Sequence, residues 1–92
     1  MRILFVDDMR DTRELFRMAL QLQGVETRLA EDGQEAVFAV REESFDAIIM
    51  DVEMPRMNGW DATRAIRLLE NGRDIPIIMF TAYGNGKTAS AL

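Results

Sequence analysis

The chain has 92 residues, and its composition, 48% hydrophobic and 29% charged, is typical of one small globular domain. Its 11 basic and 16 acidic residues give a net charge of −5, which argues against a general nucleic-acid-binding surface. The absence of cysteine and histidine excludes disulfides, thiol catalysis and the usual zinc sites.

The first half of the chain alternates apolar runs with amphipathic segments. Its predicted elements are, in order, a strand over Arg2–Val6, a helix from Asp11 to Gln23, a strand over Val25–Ala30 and a helix over Gln34–Glu43. Asp11 and Glu14 have the spacing of a capping box, which predicts Asp11 as the N-cap of the first helix. The pair Asp32-Gly33 is interpreted as turn chemistry only.

The second half continues the same alternation. Its predicted elements are a strand over Phe45–Met50, a helix between Asn58-Gly59 and Asn71-Gly72, a strand over Ile77–Phe80, a loop over Thr81–Gly86, and the start of a helix over Lys87–Leu92. The third strand is continuously apolar, as expected for a strand that is covered on both faces. Strands that alternate with helices predict a parallel sheet with right-handed crossovers.

Acidic and hydroxyl residues follow three of the predicted strands. Asp7 and Asp8 follow the first strand, Asp51 follows the third, and Thr81 follows the fourth. Ligands of such sheets bind beyond the carboxyl ends of the strands, where the strand order reverses. If the first and third strands are neighbours, three carboxylates converge there, and like charges so close need a metal ion or a proton to coexist.

Magnesium phosphoryl chemistry suits these residue types. Mg²⁺ binds oxygen ligands, typically one or two carboxylates with waters and a phosphate. One carboxylate then remains free to attack phosphorus and form an acyl phosphate, while a hydroxyl such as that of Thr81 helps to stabilise charge. Singly, each residue has a structural interpretation: Asp51 as a turn residue, Asp7 or Asp8 as a helix cap, and Glu53 as a solvated loop acid. Their coincidence at strand ends favours a site.

Four segments together resemble the receiver domain of bacterial response regulators. They are RILFVDD, AEDGQEAV, FDAIIMDVEMPRMNGWDATRAIR and IPIIMFTAY, in the order and spacing of that family, and they extend from Arg2 to about Tyr83. The resemblance implies a flavodoxin-like, doubly wound α/β fold with a parallel sheet. For this chain the resemblance implies the strand order 2-1-3-4 without the family's fifth strand and last helix, and we expect residues 1–92 to form a single truncated receiver domain.

The resemblance also implies a role for each matching residue. Asp51 is the phosphoacceptor and contacts Mg²⁺, Asp8 ligates Mg²⁺ directly, Asp7 does so mainly through water, and the backbone carbonyl of Glu53 is a further ligand. Thr81 is the switch hydroxyl, and the amide of Ala82 holds the phosphoryl group. The side chains of Glu53 and Tyr83 modulate the rate at which the phosphate is lost.

The implied partner is a sensor histidine kinase or phosphotransfer protein that donates the phosphoryl group from a phosphohistidine. The chain is then not an enzyme beyond self-phosphorylation and autodephosphorylation. The apolar runs are too short to cross a bilayer, and no signal-peptide pattern opens the chain. We therefore expect a soluble cytoplasmic protein that does not bind membranes or nucleic acid directly.

The chain departs from the family in its last segment. The family's fifth strand ends in a lysine, whereas the only lysine here, Lys87, falls in the predicted loop or helix after Thr81. Arg10 and Arg56, in predicted loops near the site, are the candidate substitutes for that cation. The absence of the lysine motivates an alternative, a module that is no longer phosphorylated and acts as an interaction or decoy partner for kinases.

A missing fifth strand would also leave the fourth strand, Ile77–Phe80, as an apolar edge with unpaired backbone groups, and the first helix would lose part of its cover. We expect a fragment of a longer protein, self-association that covers the edge, or marginal stability, and of these we predict self-association.

A second alternative is nucleotide binding. The stretch from Thr81 to Thr88 ends in Gly-Lys-Thr, as a phosphate-binding P-loop does. Thr81, however, occupies the position of the first P-loop glycine, and this counts against the alternative.

Overall fold

Apolar runs form the central strands of the protein, and amphipathic segments form the helices between them. The computed structural model describes residues 1–83 and 86–91, with side chains up to residue 81. The elements are β1 Arg2–Val6, α1 Arg10–Leu22, β2 Glu26–Ala30, α2 Gly33–Glu42, β3 Ala47–Asp51, α3 Gly59–Arg67, a 3₁₀ helix Glu70–Gly72, β4 Ile77–Tyr83 and β5 Gly86–Ala91.

One sheet connects all the described strands, in the order β2-β1-β3-β4-β5. The first four strands run parallel, which confirms the predicted order 2-1-3-4 and the flavodoxin-like architecture. Val6 of β1 pairs with Met50 of β3, and Asp51 pairs with Phe80 of β4. The carboxyl ends of β1 and β3 therefore lie level with each other, beside Phe80 of β4, at one edge of the sheet.

The two faces of the sheet are covered unequally. Residues on one face pack with α2 and α3 into a buried core that includes Leu4, Ile48, Met79, Val40 and Ile66. On the other face, the ring of Phe5 stacks against Phe16 of α1, with the ring centroids 4.4 Å apart. No residue of α1 is buried, and Leu15, Met18 and Leu22 are mostly exposed. The predicted incomplete cover of the first helix is therefore confirmed within the described part of the chain.

The start of α1 differs from the prediction. The N-cap position is Met9, its side chain makes no capping hydrogen bond, and Asp11 lies inside the first turn. The capping box at Asp11 is therefore wrong. The reason is a nearer acceptor: the carboxylate of Asp7 accepts a hydrogen bond from the Met9 amide at 2.8 Å, which starts the helix earlier. Asp11 still favours the first turn through the helix dipole.

The end of the chain differs more. Residues 86–91 form β5, antiparallel to β4, instead of a helix, and β4 continues to Tyr83 instead of ending at Phe80. An antiparallel strand needs only a short connection to pair with a neighbouring strand, and the segment pairs with the edge of β4. Of the predicted loop, Thr81–Tyr83 belong to β4 and Gly86 belongs to β5, and Gly84 and Asn85 lie outside the described residues.

The pairing with β5 also removes the open edge that β4 was expected to present. The prediction of an exposed fourth-strand edge is thus wrong, and self-association loses the surface on which it was based. The family's parallel fifth strand and last helix are absent from the described residues. None of the helices described is long and apolar enough to cross a membrane.

Asp32 has a larger role than the predicted turn chemistry. It is the N-cap of α2, where its carboxylate accepts a hydrogen bond from the Glu35 amide at 2.9 Å, and it also binds the guanidinium of Arg56. Burial raises the pKa of Asp32, but the Glu35 amide and the Arg56 guanidinium outweigh burial and hold the pKa below its ordinary value of 3.8.

We therefore predict that Asp32 stabilises the protein in a pH-dependent way. A carboxyl whose pKa is lower in the folded state adds stability above its unfolded pKa, and this stability is lost as the pH falls through the folded pKa. Asp32→Asn keeps a good N-cap but removes the charge. Urea unfolding should show a lower free energy of unfolding for Asp32→Asn above about pH 5, with the difference shrinking below pH 3.8. A difference that stays constant down to pH 2.5 would contradict the prediction.

Candidate functional site

Three carboxylates meet at the carboxyl edge of the sheet. Asp7 follows β1 directly, and Asp51 is the last residue of β3. Because Val6 pairs with Met50, the next residues of the two strands, Asp7 and Asp51, are adjacent. One carboxylate oxygen from each of Asp7, Asp8 and Asp51 lies within 4.8 Å of the other two. The structure thus brings together the acids that the sequence placed at strand ends.

The three acids differ in exposure. Asp7 is 1% and Asp51 8% exposed, whereas Asp8 is open to solvent. Asp7 is fixed by its own amide, which donates to the Ala30 carbonyl at 3.1 Å, and Asp51 accepts a hydrogen bond from the Glu53 amide at 3.2 Å. Asp7 and Asp51 are therefore fixed at the ends of their strands, and the cluster is open to a ligand from solvent on the side of Asp8.

The donor set fits a hard divalent cation. All three groups offer carboxylate oxygens, the ligands that Mg²⁺ prefers, and the chain has no thiolate or imidazole to favour a softer metal. Magnesium–oxygen distances are about 2.0–2.1 Å, so ligands on opposite sides of one ion lie about 4 Å apart. A spacing of up to 4.8 Å needs only small side-chain rotations to reach that geometry.

Thr81 lies on the neighbouring strand at the same edge. It follows Phe80, which is the register partner of Asp51, and the Val52 amide donates to the Phe80 carbonyl at 2.8 Å. Thr81 is part of β4 and not of a loop, and its side chain is half-buried. Ala82 and Tyr83 continue the strand, and their side chains lie outside the described part of the structure.

The two cations proposed as lysine substitutes have different surroundings. Arg10 is the first residue of α1 and is exposed. Arg56 is paired with another acid, Asp32: its Nε donates to Oδ2 of Asp32 at 2.8 Å. Arg56 is therefore not a free substitute for the family's lysine. The position of Lys87 also needs correction, because it belongs to β5, where it is the register partner of Ala82.

The loop between Asp51 and α3, residues 52–58, contains a feature that the sequence did not predict. Arg56 has a positive φ of 67° and pairs with the buried Asp32 across 24 positions of sequence. The Gly33 amide donates to the Met57 carbonyl at 3.2 Å beside that pair. The only sequence signal for this contact was the pairing of an Asp-Gly turn with a basic loop residue, which is too common to be specific.

Comparison with known proteins agrees with this geometry. The sequence model of the family "Response regulator receiver domain" matches residues 3–92. Response regulator MprA of Mycobacterium leprae is 44% identical over 82 residues, which are 89% of this chain and 35% of that protein. MprA of Mycolicibacterium vanbaalenii is 42% identical over 81 residues, 88% of this chain and 34% of that protein. The chain thus spans about a third of the length of these curated relatives.

Solved structures show the same fold. The receiver domain of a sensor histidine kinase from Pseudomonas aeruginosa, with a magnesium ion coordinated in its active-site cleft, superposes with a TM-score of 0.84 at 40% identity, over 88% of this chain and 66% of that one. The response regulator TrrA from Thermotoga maritima, in complex with Mg²⁺ and BeF, gives a TM-score of 0.81 at 40% identity, over 90% of this chain and 70% of that one.

The family match covers almost the whole described sequence, and the fold and the acidic cluster agree with it. The resemblance seen in the sequence is therefore confirmed: the chain belongs to the response regulator receiver domains of two-component systems.

Proposed function

We propose that Asp51 accepts a phosphoryl group from a phosphohistidine of a sensor kinase or phosphotransfer protein, with Mg²⁺ bound at the acidic cluster. The observation that carries this proposal is the convergence of Asp7, Asp8 and Asp51 within 4.8 Å at the carboxyl edge of the sheet. The magnesium-containing receiver structures that the chain resembles support the choice of metal.

The reaction is a displacement at phosphorus. A carboxylate oxygen of Asp51 forms a bond to phosphorus while the P–N bond of the donor breaks, and the imidazole leaves with that electron pair and takes up a proton. Bound Mg²⁺ would supply positive charge that offsets the phosphoryl oxygens. Asp51 is suited to attack because its hydrogen bond from the Glu53 amide fixes the side chain while the cluster remains open on the Asp8 side.

The other residues hold the metal and the phosphoryl group. Asp8 would ligate Mg²⁺ directly, Asp7 mainly through water, and Glu53 through its backbone carbonyl. The Thr81 hydroxyl and the Ala82 amide would donate to the phosphoryl oxygens, because both follow the register partner of Asp51 on the adjacent strand. The side chains of Glu53, which is exposed, and Tyr83 would modulate hydrolysis of the acyl phosphate. Catalysis is then limited to self-phosphorylation and autodephosphorylation.

Nucleotide binding receives no support from the fold. A P-loop leads into a helix whose N-terminus faces the phosphates. Here the Gly-Lys-Thr segment instead begins the antiparallel strand β5. Gly84 and Asn85, the middle of the candidate loop, lie outside the described residues.

We predict that incubation with a small phosphodonor such as acetyl phosphate adds one phosphoryl group to the chain in the presence of Mg²⁺. Asp51→Asn removes the nucleophile, so its intact mass should not change. Asp46→Asn is the matched control, because Asp46 lies just before the opposite end of β3 and binds the Arg2 amide. An adduct that survives in Asp51→Asn, or no adduct at any donor concentration, would refute the proposal; the second outcome would favour the unphosphorylated decoy.

We also predict that Mg²⁺ raises the melting temperature through binding at the acidic cluster. A ligand at ten times its dissociation constant stabilises the folded state by about 1.4 kcal/mol. Asp8→Asn should lose most of this stabilisation by Mg²⁺. In the absence of metal it should be no less stable than the wild type, because the substitution relieves repulsion among like charges. Asp11→Asn, an exposed acid in the first turn of α1, is the control and should keep the stabilisation. Equal shifts in all three proteins would place the metal elsewhere.

A further inference from the structure

The loop that follows Asp51, residues 52–58, is fixed to the rest of the protein at both ends. At its start, the Val52 amide donates to the Phe80 carbonyl, and the Glu53 amide donates to the Asp51 carboxylate. At its end, the Gly59 amide donates to the Val52 carbonyl at 2.8 Å. The middle of the loop has a third attachment, to the N-terminus of α2.

This third attachment is an ion pair with a buried acid. The Asp32 side chain is 4% exposed, and its Oδ2 accepts from Nε of Arg56 at 2.8 Å and also from Nη2. Its other oxygen accepts from the Glu35 amide in the cap of α2. One carboxylate therefore joins the loop to the helix, and we refer to the Asp32–Arg56 pair as the clasp.

The backbone beside the clasp is packed closely. The Gly33 amide donates to the Met57 carbonyl, and a Cβ added at Gly33 would overlap that carbonyl oxygen. Met57 packs against the core with its side chain. The approach of the two segments thus requires glycine at position 33, and it fixes the loop at the residue next to Arg56.

Arg56 holds a backbone conformation that costs free energy. Its φ of 67° lies in the left-handed region, which costs a non-glycine residue about 1–2 kcal/mol. The charge-assisted hydrogen bonds to Asp32 offset this cost. A glycine at position 56 would adopt the same φ without strain. The turn alone therefore does not explain why this position carries an arginine.

We propose that Arg56 is a positioning residue for the metal site: through the clasp it holds the loop that carries the Glu53 carbonyl beside the carboxylate cluster. This inference rests on the proposed function, because it assigns the Glu53 carbonyl to Mg²⁺. Groups that orient metal ligands from outside the coordination sphere commonly change metal affinity by 10–100-fold when they are removed.

The positive charge of Arg56 and its positioning role should have opposite effects on the affinity for Mg²⁺. The sign of the change in affinity after its removal therefore distinguishes the two effects. Removal of a positive charge from the protein lowers the repulsion of a divalent cation and should by itself tighten Mg²⁺ binding or leave it unchanged. Loss of the loop position should weaken it. Arg56→Gly keeps the left-handed backbone and removes the guanidinium, so the sign of its effect decides between the two roles.

Calorimetric titration with Mg²⁺ provides the first test. We expect about tenfold weaker binding for Arg56→Gly and partial recovery for Arg56→Lys, which keeps the charge but not the planar fork. Arg64→Ala is the control for charge: it removes the same charge from an exposed pair with Asp61, keeps a good helix former in α3, and should not weaken binding. Unchanged or tighter binding in Arg56→Gly would overturn the inference.

Amide hydrogen exchange provides a second test that needs no metal. The Gly33 amide spans the contact between loop and helix, so its exchange should be about tenfold faster in Arg56→Gly and in Asp32→Asn than the fall in each variant's global free energy of unfolding, measured in urea at the same pH, accounts for. Unchanged exchange at Gly33 would refute the clasp. If the wild type binds no Mg²⁺, the proposed function fails, and the exchange measurement still decides whether Arg56 holds the loop.

Discussion

The parallel register between β1 and β3 is the constraint on which the site depends. Pairing of Val6 with Met50 makes Asp7 and Asp51 neighbours. A slip by one residue would turn every side chain of a strand to the other face of the sheet and separate the two acids. The two faces of β1 bury different side chains: Leu4 and Val6 belong to the core with α2 and α3, whereas Phe5 stacks on Phe16 of α1, so a slip would disrupt the packing on both faces. The hydrophobic core thus determines the position of the charges.

The parts of the fold that follow from local pattern were predictable. Strand-like segments separated by helical segments predicted the parallel sheet, and the family resemblance implied its strand order. With the first and third strands as neighbours, the acids at strand ends predicted the cluster. The N-cap position of α1 was not predicted correctly, because it depends on the Asp7 carboxylate accepting a hydrogen bond from the Met9 amide. The strand β5 was not predicted either. A short segment without a clear preference for helix or strand takes its conformation from the neighbouring edge of β4.

The clasp illustrates a different limit. Asp32 has the sequence signature of a helix cap, and Arg56 has that of a solvated loop residue. Their contact arises only after α2 and the loop are brought together by Gly33 and Met57. Sequence patterns report neighbours along the chain, whereas this pair is 24 positions apart and depends on two close backbone approaches. The carboxylate cluster was easier to find because strand ends share one edge.

The weak attachment of α1 has a consequence for local opening. Its Phe16 ring stacks on Phe5 of the sheet, but none of its residues is buried. Segments with little buried apolar surface open at a lower free energy than the protein as a whole. Asp7, however, is held both by its own amide, which donates to the Ala30 carbonyl of β2, and by the start of α1: its carboxylate accepts from the Met9 amide, and its carbonyl accepts from Nη1 of Arg13 at 2.8 Å. Fraying of α1 that starts at its C-terminus and stops short of Arg13 would leave these contacts intact, so the first turn of the helix opens together with the site and the last turns do not.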